Sequence, residues 1–424
     1  VTRIYNVYFL NSNLFFFNQK AKLGLCAGMF LLAANVAAQK NDTEDTLTSC
    51  KKIEQEDIVD VYRRIIKKPV KDTCESVEKA GKLHYAILPA AGYSSVTGFA
   101  VAAAGNAAFY TDNQNSTKLS AIDASVSYTQ KNQIILPILS NIWTRKNSFN
   151  LLGDWRFYKY PEYTYGLGGH TTLQNKDPLN YSNIIIHEAV LKHIDNTAFY
   201  AGLAYNLNYH WNISEAGPTD GGISDFKKYG LTKQSVSSGI SVNALFDTRK
   251  NSINPSDAVY GSVAFCPNLT MLGSNHNYQS LIVDLRKYFK LSKKSDNVLA
   301  FWSYNWFTFN GNVPYLDMPS TGWDPYANMG RGYIQSRFRG KNLLYAEAEY
   351  RFGITRNGLV GGVVFANAQS VTDWPSNKFQ TIYPAVGTGI RIKVNRDSKT
   401  NICIDYALGI NGSNGVFINL GEVF

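Results

Sequence analysis

From about residue 83 to the end, the chain is cut into stretches of roughly ten to fourteen residues in which apolar and polar side chains alternate. In "NLLYAEAEYRFGI", Leu344, Ala346, Ala348, Tyr350 and Phe352 alternate with Tyr345, Glu347, Glu349 and Arg351. In "SLIVDLRKYF", Leu281, Val283 and Leu285 alternate with Ile282, Asp284 and Arg286. A period of two places successive side chains on opposite faces of a strand, so one face must meet an apolar medium and the other water or charge. Composition narrows the medium. Charged residues make up 17% of the chain, below the roughly 25% usual in soluble domains. Aromatics reach 13%, with 27 Tyr and 23 Phe, and the mean hydropathy of −0.21 excludes a bundle of membrane helices. A transmembrane β-barrel, in which only alternate residues face lipid, fits this mixture.

Sixteen such segments are expected: 97–111, 119–129, 133–143, 147–158, 162–172, 182–194, 197–210, 235–248, 256–267, 276–290, 297–309, 342–354, 358–370, 382–394, 400–411 and 415–424. The fold expected is all-β, a 16-stranded antiparallel transmembrane barrel. With both ends periplasmic, connections after odd strands face outside, including the two longest, 211–234 and 310–341. Connections after even strands, such as 130–132 and 355–357, are short turns on the inside.

The amino-terminal region reads differently. "LGLCAGMFLLAANVAA" at 23–38 follows Lys20 and Lys22 and ends in small residues, the pattern of a secretory signal cut near Ala38. Residues 1–38 are assigned to that leader, with an extension before it, and 39–82 to a polar periplasmic tether. Within the tether, Ile58, Val61, Tyr62 and Ile65 recur at helical spacing, so a short helix is expected at 54–68, stopped by Pro69. Cys50 and Cys74 flank it; in an oxidising compartment they either close a disulfide or remain two free thiols. The expected location is the outer membrane of a Gram-negative cell, with the N-terminus in the periplasm and residues 83–424 in the barrel.

The stretch "NMGRGYIQSRFRGKN" at 328–342 stands out between two alternating runs. It is too charged for a lipid-facing strand. From its residues alone it is a solvated outside loop, or one folded back against a wall that offers carboxylates.

"GRGY" at 330–333 with "AEAEYRF" at 346–352 resembles the Arg-Gly-aromatic loop motif and following strand of the BamA/TamA superfamily of outer-membrane barrels, the bacterial surface antigen family. "FDTRKNSINPSDAVYGSVAF" at 246–265 is similar to the family's Asp-Thr-Arg-rich strand pair. "GTGIRIKV" at 387–394, "ICIDYALG" at 402–409 and Phe424 fit its last strands, and "LPAAGYSSVTG" at 88–98 its barrel entry. The resemblance implies a sixteen-strand barrel whose sixth outside loop enters the lumen, with Gly330, Arg331, Gly332 and Tyr333 as the loop motif. Arg331 would then reach Glu347 and Glu349, with Asn367 as a further acceptor. The chain departs from the family twice. Residues 39–82 leave no room for a polypeptide-transport-associated domain, so a barrel-only member is expected. "FANAQ" at 365–369 carries Asn367 and Gln369 where the family pattern is Phe-x-Asp-x-Gly. Arg337 and Arg339 are expected as surface charge of the loop.

The first expected strand, "GFAVAAAGNAAFYT", is rich in Ala and Gly, and the last holds Gly415 and Gly421, so the closing seam is weakly paired or merely relieved of crowding. Ile418, Leu420 and Phe424 on one face of the last strand resemble the carboxy-terminal sorting signal of such barrels. The histidines are scattered, and no nucleophile motif, phosphate-binding glycine loop or metal-ligand spacing occurs; no enzyme activity, cofactor or metal is expected. The net charge of +10 is spread along the chain without a basic motif, which argues against nucleic acid and suits an anionic membrane surface. Two functions stand: insertion or transport of protein or lipid at the outer membrane, and a structural barrel anchoring a larger complex. A diffusion porin is third, because an inserted loop would fill the pore. Expected partners are outer-membrane lipid and lipopolysaccharide, and periplasmic or outer-membrane proteins through residues 39–82.

Overall fold

The computed structural model describes residues 55–67, 81, 83–94 and 98–424, apart from 114, 196, 219–220, 293–294 and 397–398. The leader at 1–38, Cys50 and Cys74 lie outside the described residues.

Among the described residues, sixteen strands follow one another in a single sheet, each paired with its neighbours in sequence. They are β1 (His84–Ser94), β2 (Gly98–Phe109), β3 (Ser120–Thr129), β4 (Ile134–Trp143), β5 (Phe149–Thr164), β6 (Asp177–His193), β7 (Phe199–Glu215) and β8 (Gln234–Asp247). Then come β9 (Ala258–Asn268), β10 (Tyr278–Lys290), β11 (Val298–Phe309), β12 (Asn342–Gly353), β13 (Val360–Val371), β14 (Tyr383–Asn395), β15 (Thr400–Gly409) and β16 (Asn414–Leu420). All the pairings are antiparallel; among the described residues none joins β1 to β16.

The strand count coincides with the expected one because two differences cancel. The segment 162–172 is not a strand of its own: β5 runs on to Thr164, and the chain then turns at Gly166 (φ 97°) and Gly168 (φ 91°), conformations that break an extended run. The unexpected strand is β1, whose alternation is hidden by Pro89, two alanines and Gly92, a proline being tolerated in the first strand of the sheet order. The consequence is topological. The connection at 130–133 follows an odd strand and lies at the same end as 310–341, not opposite it. The Ala-rich strand is the second, so the first edge of the sheet belongs to β1 and the last to β16.

The sheet is inverted relative to a soluble one. Glu347, Glu349, Arg351, Asp405 and Arg391 are buried, whereas Val101, Leu203, Val242, Val386 and Ile390 are more than half exposed. Charge faces inward and aliphatic side chains outward, the arrangement required when the surrounding medium is hydrocarbon. The connection 310–341 touches both β5–β8 and β12–β15, so the sheet curls around it.

Among the described residues no helix is long and apolar enough to cross a membrane, which says nothing of strands. The tether helix is α1 (Ile58–Ile65), shorter than the expected 54–68. Asp57 caps it, accepting from Asp60 N at 2.9 Å while the Asp60 carboxylate accepts from Asp57 N at 3.3 Å. It docks at the end opposite the 310–341 loop. Gln55 bonds Asp296 and Lys393 at 2.9 Å each, the Asn357 amide meets Glu56 at 2.9 Å, and Arg396 Nη1 reaches Asp60 at 2.9 Å. Burial pushes the Asp60 carboxyl above the usual range, with the Asp57 charge adding to it and Arg396 opposing.

Candidate functional site

Two glycines let the loop press on the wall. Gly330 (φ 83°) and Gly332 (φ 102°) take left-handed conformations, and a Cβ would come within 2.6 Å of the Thr321 methyl at the first and 2.7 Å of Ala385 Cβ at the second. Asp324 holds the turn before them, accepting from the backbone N–H groups of Met329 (2.8 Å), Asn328 (3.1 Å) and Tyr326 (3.2 Å). Arg331, between the glycines, is fully buried.

Arg331 reaches three carboxylates. Nη1 donates to Asp405 Oδ2 at 2.5 Å, and Nη2 donates to Glu347 Oε1 at 2.5 Å and also to Glu349. The guanidinium lies 3.5 Å from the centroid of the Phe365 ring, a cation–π contact. Asn367 does not accept from Arg331: its amide donates to the Arg331 carbonyl at 2.9 Å, and its Oδ1 is buried without a partner, as is Arg331 Nε. Gln369 holds the loop from the same strand, accepting from Thr321 at 2.8 Å. Tyr333 donates to Pro384 O at 2.6 Å, accepts from Ile410 N at 3.1 Å, and packs edge-on against Phe338.

The carboxylates are themselves paired. Arg351 donates to Glu349 at 2.7 Å, and Arg391 to Asp405 at 2.5 Å and Glu422 at 2.8 Å. Arg331, Arg351 and Arg391 thus face Glu347, Glu349, Asp405 and Glu422, an enclosed network in which neighbouring pairs share members. Asp405 was not singled out from the sequence. Its signal is a carboxylate in the same alternating register as Cys403 and Ala407 within "ICIDYALG". Gly389 makes its position feasible, since a Cβ there would lie 1.8 Å from Asp405 Oδ1.

The loop is held on the opposite wall too. Arg339 and Arg337, expected as surface charge, are both buried. Arg339 donates to Glu162 at 2.8 Å and to the Tyr315 carbonyl at 2.9 Å, and Tyr181 donates to the other Glu162 oxygen at 2.8 Å. Arg337 donates to Thr171 Oγ1 at 2.8 Å and lies over the Tyr165 and Phe338 rings. Asp317 accepts from Ser237 at 2.6 Å and Asn208 at 3.1 Å. Sequence spacing could not reveal these pairs, because the partners stand more than 75 residues apart.

The chain end departs from the expected strand. β16 stops at Leu420, and Gly421 (φ 87°) turns the tail inward. Ile418 and Leu420 share a register on β16, but Phe424 leaves it: it is fully buried and stacks on Trp302, centroids 5.3 Å apart, with the Arg351 guanidinium 5.1 Å from its ring. Glu422 N bonds Ile253 O at 3.1 Å, and Asn328 donates to Val423 O at 2.6 Å, tying the tail to the loop. Among the described residues no three His, Cys, Asp or Glu side chains gather to hold a metal.

The family model of the Omp85 superfamily domain matches residues 110–416. No curated protein matches the sequence. Among solved structures, the chain resembles BamA from Haemophilus ducreyi lacking POTRA domains 1–3, at 13% identity and a TM-score of 0.50, over 81% of this chain and 71% of that one. It also resembles CdiB from Acinetobacter baumannii, at 11% identity and a TM-score of 0.51, over 80% of this chain and 60% of that one. Identities this low speak for the fold.

Proposed function

The chain belongs to the Omp85 superfamily, and we propose that it works as a closed, sixteen-stranded outer-membrane barrel that inserts or translocates protein or lipid. In this reading β1 meets β16, residues 83–424 form the barrel, and 1–38 and 39–82 are leader and tether. The end carrying α1 faces the periplasm. Gly330, Arg331, Gly332 and Tyr333 are the lumen loop motif, with Glu347, Glu349 and Asn367 in the wall that receives it. Ile418, Leu420 and Phe424 serve sorting before the barrel folds, since Phe424 ends up inside. The observation that carries the reading is a charged loop buried across the inside of a sheet whose outer face is aliphatic. No catalytic step belongs to it. Lipid, lipopolysaccharide and periplasmic proteins meeting residues 39–82 are its partners.

One observation favours a second reading. Because the loop is fixed to both walls, the barrel also suits a closed anchor that carries nothing through its lumen. The two part at the seam. Cysteine pairs scanned across 86–92 and 414–418 would lock β1 to β16 by crosslinking. Loss of an exported client or lipid in locked cells supports insertion or translocation through an opening seam. Locked barrels that restore a deletion strain in every register overturn that reading in favour of the closed anchor.

A further inference from the structure

Behind the Arg331 network, the outer face of the same strands is hollowed. On β12 and β13 the inward Glu347, Glu349, Asn367 and Gln369 alternate with outward Ala346, Ala348, Ala366 and Ala368. Register carries these small residues along the sheet: Ala346 pairs with Ser303, which pairs with Leu285, which pairs with Gly261. Phe199 and Phe246 close the far side. The result is an open apolar trough of about 860 Å³, within the roughly 300–1,000 Å³ of sites that hold small ligands.

One cation belongs to the outward side of this trough. Lys287 pairs with Val259 and Phe301, in register with Ala348 and Ala366, and its Nζ lies 4.8 Å from the Phe289 ring centroid. Among the described residues no carboxylate pairs with it. It stands three residues from the end of β10 nearest α1, close to where strands of a barrel leave the hydrocarbon. A lone ammonium there is costly unless an anion from the membrane meets it.

Resting on the membrane-spanning reading above, we propose that the trough and Lys287 hold one phospholipid of net negative charge, its acyl chain against the four alanines and its phosphate on Lys287. A hollow contacts a chain on several sides, where a flat wall contacts it on one. A second copy of the barrel fits less well, because a two-fold interface would bring two uncompensated lysines into the same apolar contact.

The test is native mass spectrometry of the full-length protein taken from nanodiscs of phosphatidylethanolamine with either phosphatidylglycerol or phosphatidylcholine. Wild type is expected to keep one phosphatidylglycerol and to prefer it over phosphatidylcholine. Lys287→Gln should lower that preference by roughly fivefold, as for one basic residue at an anionic surface. Ala366→Phe, which fills the trough, should lose retention of both lipids. Lys192→Gln, another outward lysine on β6, is expected to behave as wild type. All variants are compared as heat-modifiable, inserted barrels. Insertion without stoichiometric lipid, or retention unchanged in both Lys287→Gln and Ala366→Phe, overturns this inference alone. Failure of wild type to insert at all overturns the membrane reading beneath it.

Discussion

Of the three buried arginines on one loop, Arg331 and Arg339 pair with carboxylates on opposite walls, and they are held in different ways. Arg331 meets three carboxylates from β12 and β15, each shared with a further buried side chain. Arg339 meets one, Glu162, and adds the Tyr315 carbonyl and the Ser336 hydroxyl, while its Nε has no partner among the described residues; a tyrosine satisfies the remaining Glu162 oxygen. The Arg331 side is a network that exchanges no member cheaply. The Arg339 side is a pair, and a buried pair is replaceable by neutral groups of similar shape. The loop is therefore held by a shared ion network at one wall and by a single ion pair at the other.

The largest effect should come from Arg331→Ala, which leaves Glu347, Glu349 and Asp405 facing one another without the central cation. Unfolding in urea should shift by the upper part of about 3–5 kcal/mol, and protease should cut the loop. Arg331→Lys should recover little, because a point charge does not fork to two strands as a guanidinium does. A loss below about 1 kcal/mol would remove the distinction between the walls. Next in size is Arg339→Met, at the lower end of the same range by itself. Combined with Glu162→Gln, stability should return to within about 1 kcal/mol of wild type. The matching double change at the other wall, Arg331→Met with Glu349→Gln, should not recover, since Glu347 and Asp405 remain. If both pairs recover alike, the comparison collapses.

The two walls also differ in what the sequence discloses. Arg331 is legible because Gly330, Gly332 and Tyr333 surround it and because Glu347 and Glu349 follow on the next alternating strand, 16 and 18 residues on. Strand positions from β2 onward are legible for the same reason, apart from 162–172: period two survives wherever side chains alternate cleanly between an inner polar and an outer apolar medium. It fails at β1, where Pro89 and small residues blur it, and at 162–172, where alternating letters belong to a glycine-turned loop. Arg339, Arg337 and the inward turn of Phe424 depend on contacts across the curl, between residues far apart in sequence, and no local pattern encodes them. Asp405 is intermediate. Its face follows from alternation, but its reach to Arg331 depends on Gly389 lacking a side chain.

That dependence yields a graded perturbation. Gly389→Ala would set a methyl against Asp405 and pull its carboxylate away from Arg331 and Arg391, leaving the two glutamates in place. The expected cost is about 1–3 kcal/mol, smaller than loss of the arginine. Its signature is increased hydrogen exchange at 328–333 with no change at 337–340; equal change at both would mean the two walls are not independent.

The smallest effect tests whether the Arg331 wall is supported from outside the sheet. α1 docks beneath that wall, on Lys393 and Arg396 at the end of β14 and on Asn357 in the turn after β12, and nowhere beneath β5–β8 among the described contacts. Gln55 bridges Asp296 and Lys393, so Gln55→Ala removes two hydrogen bonds, each worth about 1 kcal/mol net at most where solvent competes. Exchange should rise across 58–65 while 328–333 stays protected, because the Arg331 network closes on itself through Arg351, Arg391 and Glu422 without drawing on the helix. If loosening α1 also exposes 328–333, the network is not self-sufficient. The firmness of that wall would then belong jointly to the loop and to the tether that docks under it.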